Sequence, residues 1–214
     1  MSSPGRGGKA RAQRREDLLR AILTESERVL REEELRFSEV SVDRLAAAAG
    51  ISRATFYLYF EDKGHLLRLF MRHFLGEASE SARLWWDVAE LRDPERLVAS
   101  ARSMIATYRK NYGLLSAIIE AASYDRQVAD EYAELVGGFC ASTTELIERG
   151  QAAGSIRPLP APEVAATLTW MVERVLYQSV GRADESGDDA LALALAEVLH
   201  GALYLEPATS ADAT

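Results

Sequence analysis

Apolar residues recur along most of this chain at the three-to-four-residue spacing of helices that bury one face. In residues 16–32 the stripe is Leu18, Leu19, Ile22, Leu23, Val29 and Leu30, and the acidic run Glu32, Glu33, Glu34 ends it. Phe37 and Val40 follow as loop residues tucked under the core. Ser41 is a good N-cap for a short helix through Asp43, Leu45 and Ala49. Gly50 then stands where the backbone wants a positive φ. Ser52 caps a second short helix, from Arg53 to about Tyr57. Two short helices joined by a glycine turn outline a helix-turn-helix.

From Lys63 a long helix carries Leu66, Leu67, Phe70, Phe74 and Leu75 toward Trp86, long enough to bridge the motif and the rest of the chain. Asp93 and Pro94 open the next helix, which holds Leu97, Val98, Ala101, Met104, Ile105 and Tyr108. Residues 111–113 interrupt, 114–123 form a short apolar helix, and 125–153 form a long one ending near Gly154. Residues 155–162 contain three prolines and read as a linker. Residues 163–180 and 189–205 are apolar on more than one face, around an acidic loop at 181–189. No alternating apolar run is long enough to propose a sheet.

The fold class expected is all-α: a three-helix DNA-binding domain at 15–62, then a larger helical domain at 63–205 for ligand binding and dimerisation. Arg6, Lys9, Arg11, Arg14 and Arg15 make a basic arm just before the first helix; residues 1–14 are expected to be disordered, and 206–214 a disordered tail. Such an arm either reaches phosphates or the minor groove, or serves only as a solubilising tail.

The second short helix carries the chemistry. Helical spacing turns Phe56 and Phe60 inward with Leu45 and Ile51, which leaves Arg53, Thr55, Tyr57 and Tyr59 near the outer face. A guanidinium, a hydroxyl with a methyl group and phenol oxygens suit phosphate positioning and base-edge readout. Ser41, Arg44 and Lys63 are candidates to hold phosphates.

Charge at first argues against a nucleic-acid partner, because the 214-residue chain carries a net −8. Divided, residues 1–68 hold 13 basic and 11 acidic side chains, and residues 69–214 hold 12 and 22. The acidic surplus lies in the larger C-terminal part, and a local basic face is enough to hold phosphates. One cysteine, Cys140, excludes an intrachain disulfide and fits a reducing cytoplasm. No apolar segment follows the basic start, so no secretory signal is expected. The most apolar stretch, 190–205, is interrupted by Glu197 and too short for a membrane span.

The stretch SVDRLAAAAGISRATFYLYFEDKGHLL also resembles the DNA-binding signature of TetR-type transcriptional regulators. Gly50, Ile51, Thr55, Phe56, Tyr57, Tyr59, Phe60 and Lys63 fill the signature's positions. The resemblance covers roughly the first third of the chain and implies a transcription regulator that binds DNA.

Residues 85–205 hold no catalytic arrangement: no phosphate loop, paired-cysteine site or nucleophile elbow, and His65, His73 and His200 lack metal-ligand spacing. No catalytic residue, metal site or cofactor is expected, and the scattered acidic residues read as solvated. A helix apolar all round must be buried twice, so the last two helices are expected to form a four-helix interface with a second copy. The alternative is a monomer with both helices central. A twofold dimer would match a pseudo-palindromic operator.

Trp85, Trp86, Met104, Ile105, Tyr108, Ile118, Ile119, Phe139, Trp170 and Tyr177 could line an apolar cavity or simply fill a core, with Thr143, Thr169 and Glu173 as candidate polar groups. The stretch LPAPEVAATLTWMVERVLYQSVG is similar to the segment before the last helix in the ethionamide-resistance repressor branch of the TetR family. The shared features are Leu159, Pro160, Met171, Glu173, Arg174 and Tyr177. That branch has an apolar ligand tunnel with asparagines on this helix, where Thr169 and Val172 stand here. The resemblance implies cavity positions at Met104, Ile105, Tyr108, Phe139, Cys140, Thr143, Thr169 and Val172.

The function expected is therefore a dimeric TetR-type repressor, not an enzyme, released from its operator by an apolar small molecule. The alternatives are an activator or ligand-independent regulator of the same fold, or a helical carrier or enzyme.

Overall fold

The computed structural model describes residues 6–32, 36–82, 93–181 and 184–204. Among these residues there are nine α-helices, one 3-10 turn and no strand, so the fold is all-α. In chain order the helices are α1 (Arg6–Glu32), α2 (Val42–Ala48), α3 (Arg53–Tyr59), α4 (Lys63–Ala82), α5 (Pro94–Lys110), α6 (Tyr112–Ala121), α7 (Arg126–Ala152), α8 (Ala161–Val180) and α9 (Asp188–Leu203). They pack as two compact units. The first holds the residues up to His73 together with Asn111–Tyr132, and the second holds Phe74–Lys110 and the residues from Ala133 onward.

In the first unit the short-range sequence signals set the geometry. Ser41 is extended and its Oγ accepts the Arg44 N–H at 3.2 Å, which starts α2. α2 stops in a Schellman motif: Ile51 N–H reaches Ala46 O at 2.9 Å, Gly50 N–H reaches Ala47 O at 3.0 Å, and Gly50 has φ +66°. Ser52 Oγ then accepts the Thr55 N–H at 3.0 Å and starts α3. Phe56 and Phe60 are buried with ring centroids 4.7 Å apart, as their four-residue spacing predicts.

Two features of this unit differ from the sequence expectation. α1 begins at Arg6, so residues 6–14 are its opening turns rather than an arm without order. Ala, Arg, Lys and Gln are all strong helix formers, and Ala10, Arg11, Ala12, Gln13 and Arg14 extend the helix past its apolar stripe. The second difference is α6, which packs on α1 within the same unit as the helix-turn-helix. Ile118, expected to line a cavity in the C-terminal domain, is buried in this first unit, and Ile119 lies beside it on α6. Trp85 and Trp86 lie outside the described residues.

The second unit has a core of Leu97, Leu146, Ile147, Ile156, Ala165, Leu168, Ala196, Leu199 and Leu203, drawn from α5, α7, α8, α9 and the segment between α7 and α8. Residues 155–160 are tied down rather than slack. Gly150 leaves room for Ile156 to fold back, since a Cβ there would collide with the Ile156 side chain. Gln151 donates to Leu159 O at 2.9 Å, and Arg157 Nε donates to Ala202 O at 2.8 Å. The acidic residues opening α9, read from sequence as solvated, are paired. Arg109 grips Asp188 through Nε at 3.0 Å and also reaches Val180 O and Asp184 O, while Arg102 pairs with Asp189 at 2.8 Å. These partners lie some 80 residues apart in sequence, beyond the reach of periodicity.

Candidate nucleic-acid interface and apolar binding region

The inward turn of Phe56 leaves the opposite side of α3 in solvent. Arg53 is exposed, Tyr57 is 45% exposed, and Thr55 and Tyr59 are half-buried. Arg53 is set in place by two neighbours: its NH1 lies 2.6 Å from Asp43 Oδ2 on α2, and its guanidinium sits 5.6 Å from the centroid of the Tyr57 ring. A positive group stacked on a phenol and steadied by a carboxylate is an organised surface for phosphates and base edges. Ser41 and Arg44 lie exposed at the start of α2.

Leu58, absent from the expected site, is 81% exposed and lies between the two tyrosines. It sits two positions, about 200° of helical turn, beyond buried Phe56. That angle is readable in the sequence, where the polar and aromatic residues of α3 are the more conspicuous types. An exposed aliphatic group on this face is suited to contact a thymine methyl.

Lys63, expected among the phosphate-holding residues, turns its ammonium onto the backbone of the loop before α2. Its Nζ donates to Phe37 O at 2.9 Å, Ser38 O at 3.3 Å and Val40 O at 2.8 Å, and it lies 4.9 Å from the Phe37 ring centroid. An ammonium has three N–H donors, and three carbonyls take them. Burial pulls its pKa below the usual lysine value, against the pull of the nearby Glu120 carboxylate. His65 is also structural: its Nδ1 accepts the Glu61 N–H at 3.1 Å and its ring meets Phe60 edge-on.

The expected ligand positions fall on three helices of the second unit. Met104, Ile105 and Tyr108 are on α5, Phe139, Cys140 and Thr143 on α7, and Thr169, Val172 and Glu173 on α8. α5 packs on α8. Ile105 and Glu173 are buried and the others are half-buried. Tyr108 meets Phe74 edge-on with centroids 6.0 Å apart. Burial, followed by the negative charge of Glu173, pushes the Tyr108 hydroxyl well above the usual phenol range. Trp170 is not part of that interior: it is 45% exposed on the outside of α8.

Among the described residues no group of three or more His, Cys, Asp or Glu could hold a metal ion, and no helix is long and apolar enough to cross a membrane.

Comparison with known proteins matches two stretches of the chain. Residues 33–69 match the family described as bacterial regulatory proteins, tetR family, and residues 98–204 match that described as transcriptional regulator EthR, C-terminal domain. The HTH-type transcriptional regulator EthR of Mycobacterium tuberculosis is 32% identical over 178 residues, covering 81% of this chain and 80% of that protein. Its counterpart in Mycolicibacterium smegmatis is 31% identical over 188 residues, covering 84% and 82%. Among solved structures, the fatty acid degradation regulator FadR of Bacillus halodurans superposes with a TM-score of 0.71 over 94% of this chain and 97% of that one. At 18% identity that likeness concerns the fold. The sequence signature, the helix-turn-helix geometry and these matches agree: the chain belongs to the tetR family of bacterial transcriptional regulators and carries a C-terminal domain of the EthR type.

Proposed function

We propose that this regulator is a cytoplasmic homodimeric repressor whose two α3 helices read a pseudo-palindromic operator, and that an apolar small molecule in the second unit releases it. The observation that carries the reading is the outward face of α3, where Arg53, Tyr57 and Leu58 are exposed while Phe56 anchors the helix. Arg53, Thr55, Tyr57, Leu58 and Tyr59 enter the major groove, and Ser41 and Arg44 hold phosphates on either side. Lys63 acts from behind, by holding the loop that leads into α2.

Dimerisation uses the last two helices. Leu193 and Val198 on α9 are 57% and 49% exposed, and Trp170 stands out on α8. Three large apolar groups in water on adjacent helices favour a twofold contact with a second copy. The effector occupies the apolar ground between α5, α7 and α8, lined by Met104, Ile105, Tyr108, Phe139, Cys140, Thr143, Thr169 and Val172, with Glu173 as its buried polar group. It acts only through a difference in affinity between the DNA-binding shape and another.

The test is a gel shift on DNA flanking this protein's own gene, titrated with long-chain apolar compounds. The reading expects a competitor-resistant complex that one such compound dissolves while the protein stays dimeric. A complex indifferent to every compound would support a ligand-independent regulator instead.

A further inference from the structure

The loop at residues 36–40 leads directly into the Ser41 cap, and it is held from two sides. Lys63 takes the carbonyls of Phe37, Ser38 and Val40. The Glu120 carboxylate takes the amides: Phe37 N–H at 2.7 Å, Ser38 N–H at 3.2 Å, and the Ser38 hydroxyl at 2.6 Å. Lys63 and Glu120 are therefore opposite charges on the two hydrogen-bonding edges of one turn, which buries Phe37 and Val40. Everything after that turn is rigidly chained. α2 begins at Ser41, the Schellman turn fixes α3 against α2, and Asp43 holds Arg53.

Glu120 belongs to α6, outside the helix-turn-helix, and α6 is fixed at its other end too. The Glu27 carboxylate of α1 accepts the N–H groups of Gly113 at 2.8 Å and Leu114 at 2.7 Å. The approach is close enough that a Cβ on Gly113 would lie 3.0 Å from Leu30 Cβ and 3.2 Å from the Glu27 carbonyl. α6 thus docks on α1 through its first turn and grips the start of the reading motif through its last. A shift of α6 along its axis by one residue, about 1.5 Å, removes the carboxylate from at least one of its three donors.

We infer that Glu120 is a positioning residue for DNA recognition: from α6 it sets where α2, and so the reading face of α3, stands on the first unit. The inference rests on the DNA-reading role proposed for α3. Charged hydrogen bonds of this kind are stronger than neutral ones, and losing them leaves two amides without a fixed partner. Burial alone would raise the Glu120 pKa; the bonds from Ser38 and Phe37, with help from Arg36, outweigh it and hold the carboxyl below its usual range. The anionic form is the one that grips.

The test uses full-length protein and a duplex enriched by the parent from a randomised pool, with random duplex as control. Dissociation constants are measured well below the unfolding midpoint, after circular dichroism shows that each variant is folded. Glu120→Ala is expected to weaken binding to the enriched duplex on the order of tenfold and leave random-duplex binding unchanged. Glu120→Gln keeps an accepting oxygen and should recover part of the loss. Ser38→Ala, which removes one of the three bonds without touching α6, should cost about two- to threefold. Amide exchange should quicken at Phe37 and Ser38 in Glu120→Ala but not at Ile118. A merely structural Glu120 would lower the melting point and leave the ratio of specific to random binding in place, which overturns the inference. If the parent enriches no duplex at all, the DNA-reading role fails first and the inference falls with it.

Discussion

Arg53 on α3 and Asp43 on α2 are joined by an ion pair of 2.6 Å, although both side chains are more than half exposed. So exposed a pair contributes little to folding. Its consequence is geometric: the guanidinium is already aimed along the outer face of α3, stacked over Tyr57. Asp43→Ala is expected to leave the unfolding midpoint nearly unchanged. Random-duplex binding should tighten, because a negative charge facing phosphates is removed, and the ratio of specific to random affinity should fall. Fluorescence anisotropy with both duplexes measures each quantity.

Leu58 makes so little contact with its own protein that Leu58→Ala should not alter the melting curve. On the operator it should matter. A loss on the order of threefold to tenfold is expected, less than a good bidentate base contact provides, and it should vanish when uracil replaces the contacted thymine. Equal loss on the two duplexes would remove the methyl from the account.

The two carboxylates that fix α6 should titrate in opposite senses. Glu120 is held below its usual range, so its contribution to stability is fully present above about pH 4.5 and is lost as pH falls through the depressed value. Glu27 is raised: burial outweighs the bonds from Leu114 and Gly113 and the charge of Arg31. The native state therefore holds that proton more tightly than the unfolded chain. Stability from Glu27 declines as pH rises from its usual value through the raised one. Urea midpoints from pH 3 to 7 should show the gap between parent and Glu120→Gln widening as pH rises to about 4.5 and level above it. The gap between parent and Glu27→Gln should narrow over the same range.

Gly113→Ala inserts a methyl group where α1 and α6 nearly touch. A cost of about 1–3 kcal/mol is expected, the usual range for overpacking. Chemical denaturation of the variant beside the parent measures it, and an unchanged midpoint would mean that α6 can shift without cost.

Leu193→Glu places a charge on the exposed apolar side of α9. Within the proposed dimer that charge would be buried in an apolar contact, so sedimentation should show a monomer that retains its helical content. A stable dimer would move the interface elsewhere.

The parts of this molecule that were legible in the sequence are those governed by near neighbours. The caps Ser41 and Ser52, the positive φ of Gly50, the inward pair Phe56 and Phe60, and the Asp93–Pro94 start of α5 each follow from residues within one or two turns. What could not be read depends on partners far along the chain. Nothing near Glu120 announces Ser38, and nothing near Glu27 announces Gly113. A lysine at a helix start suits phosphates on its local sequence alone, and no near neighbour of Lys63 announces the three carbonyls that its Nζ meets in the fold. Arg102 and Arg109 likewise find Asp189 and Asp188 only once α5 and α9 have packed.

Tyr57→Ala decides whether the outer face of α3 reads DNA. Tyr57 is 45% exposed and supports Arg53; its ring meets Phe56 edge-on at 5.8 Å, but Phe56 remains buried and keeps α3 anchored through Phe60. Binding to the enriched duplex should weaken by at least tenfold, with the parent's melting point and sedimentation behaviour retained. Parent-like affinity in a folded, parent-like assembly would show that DNA is read by some other face.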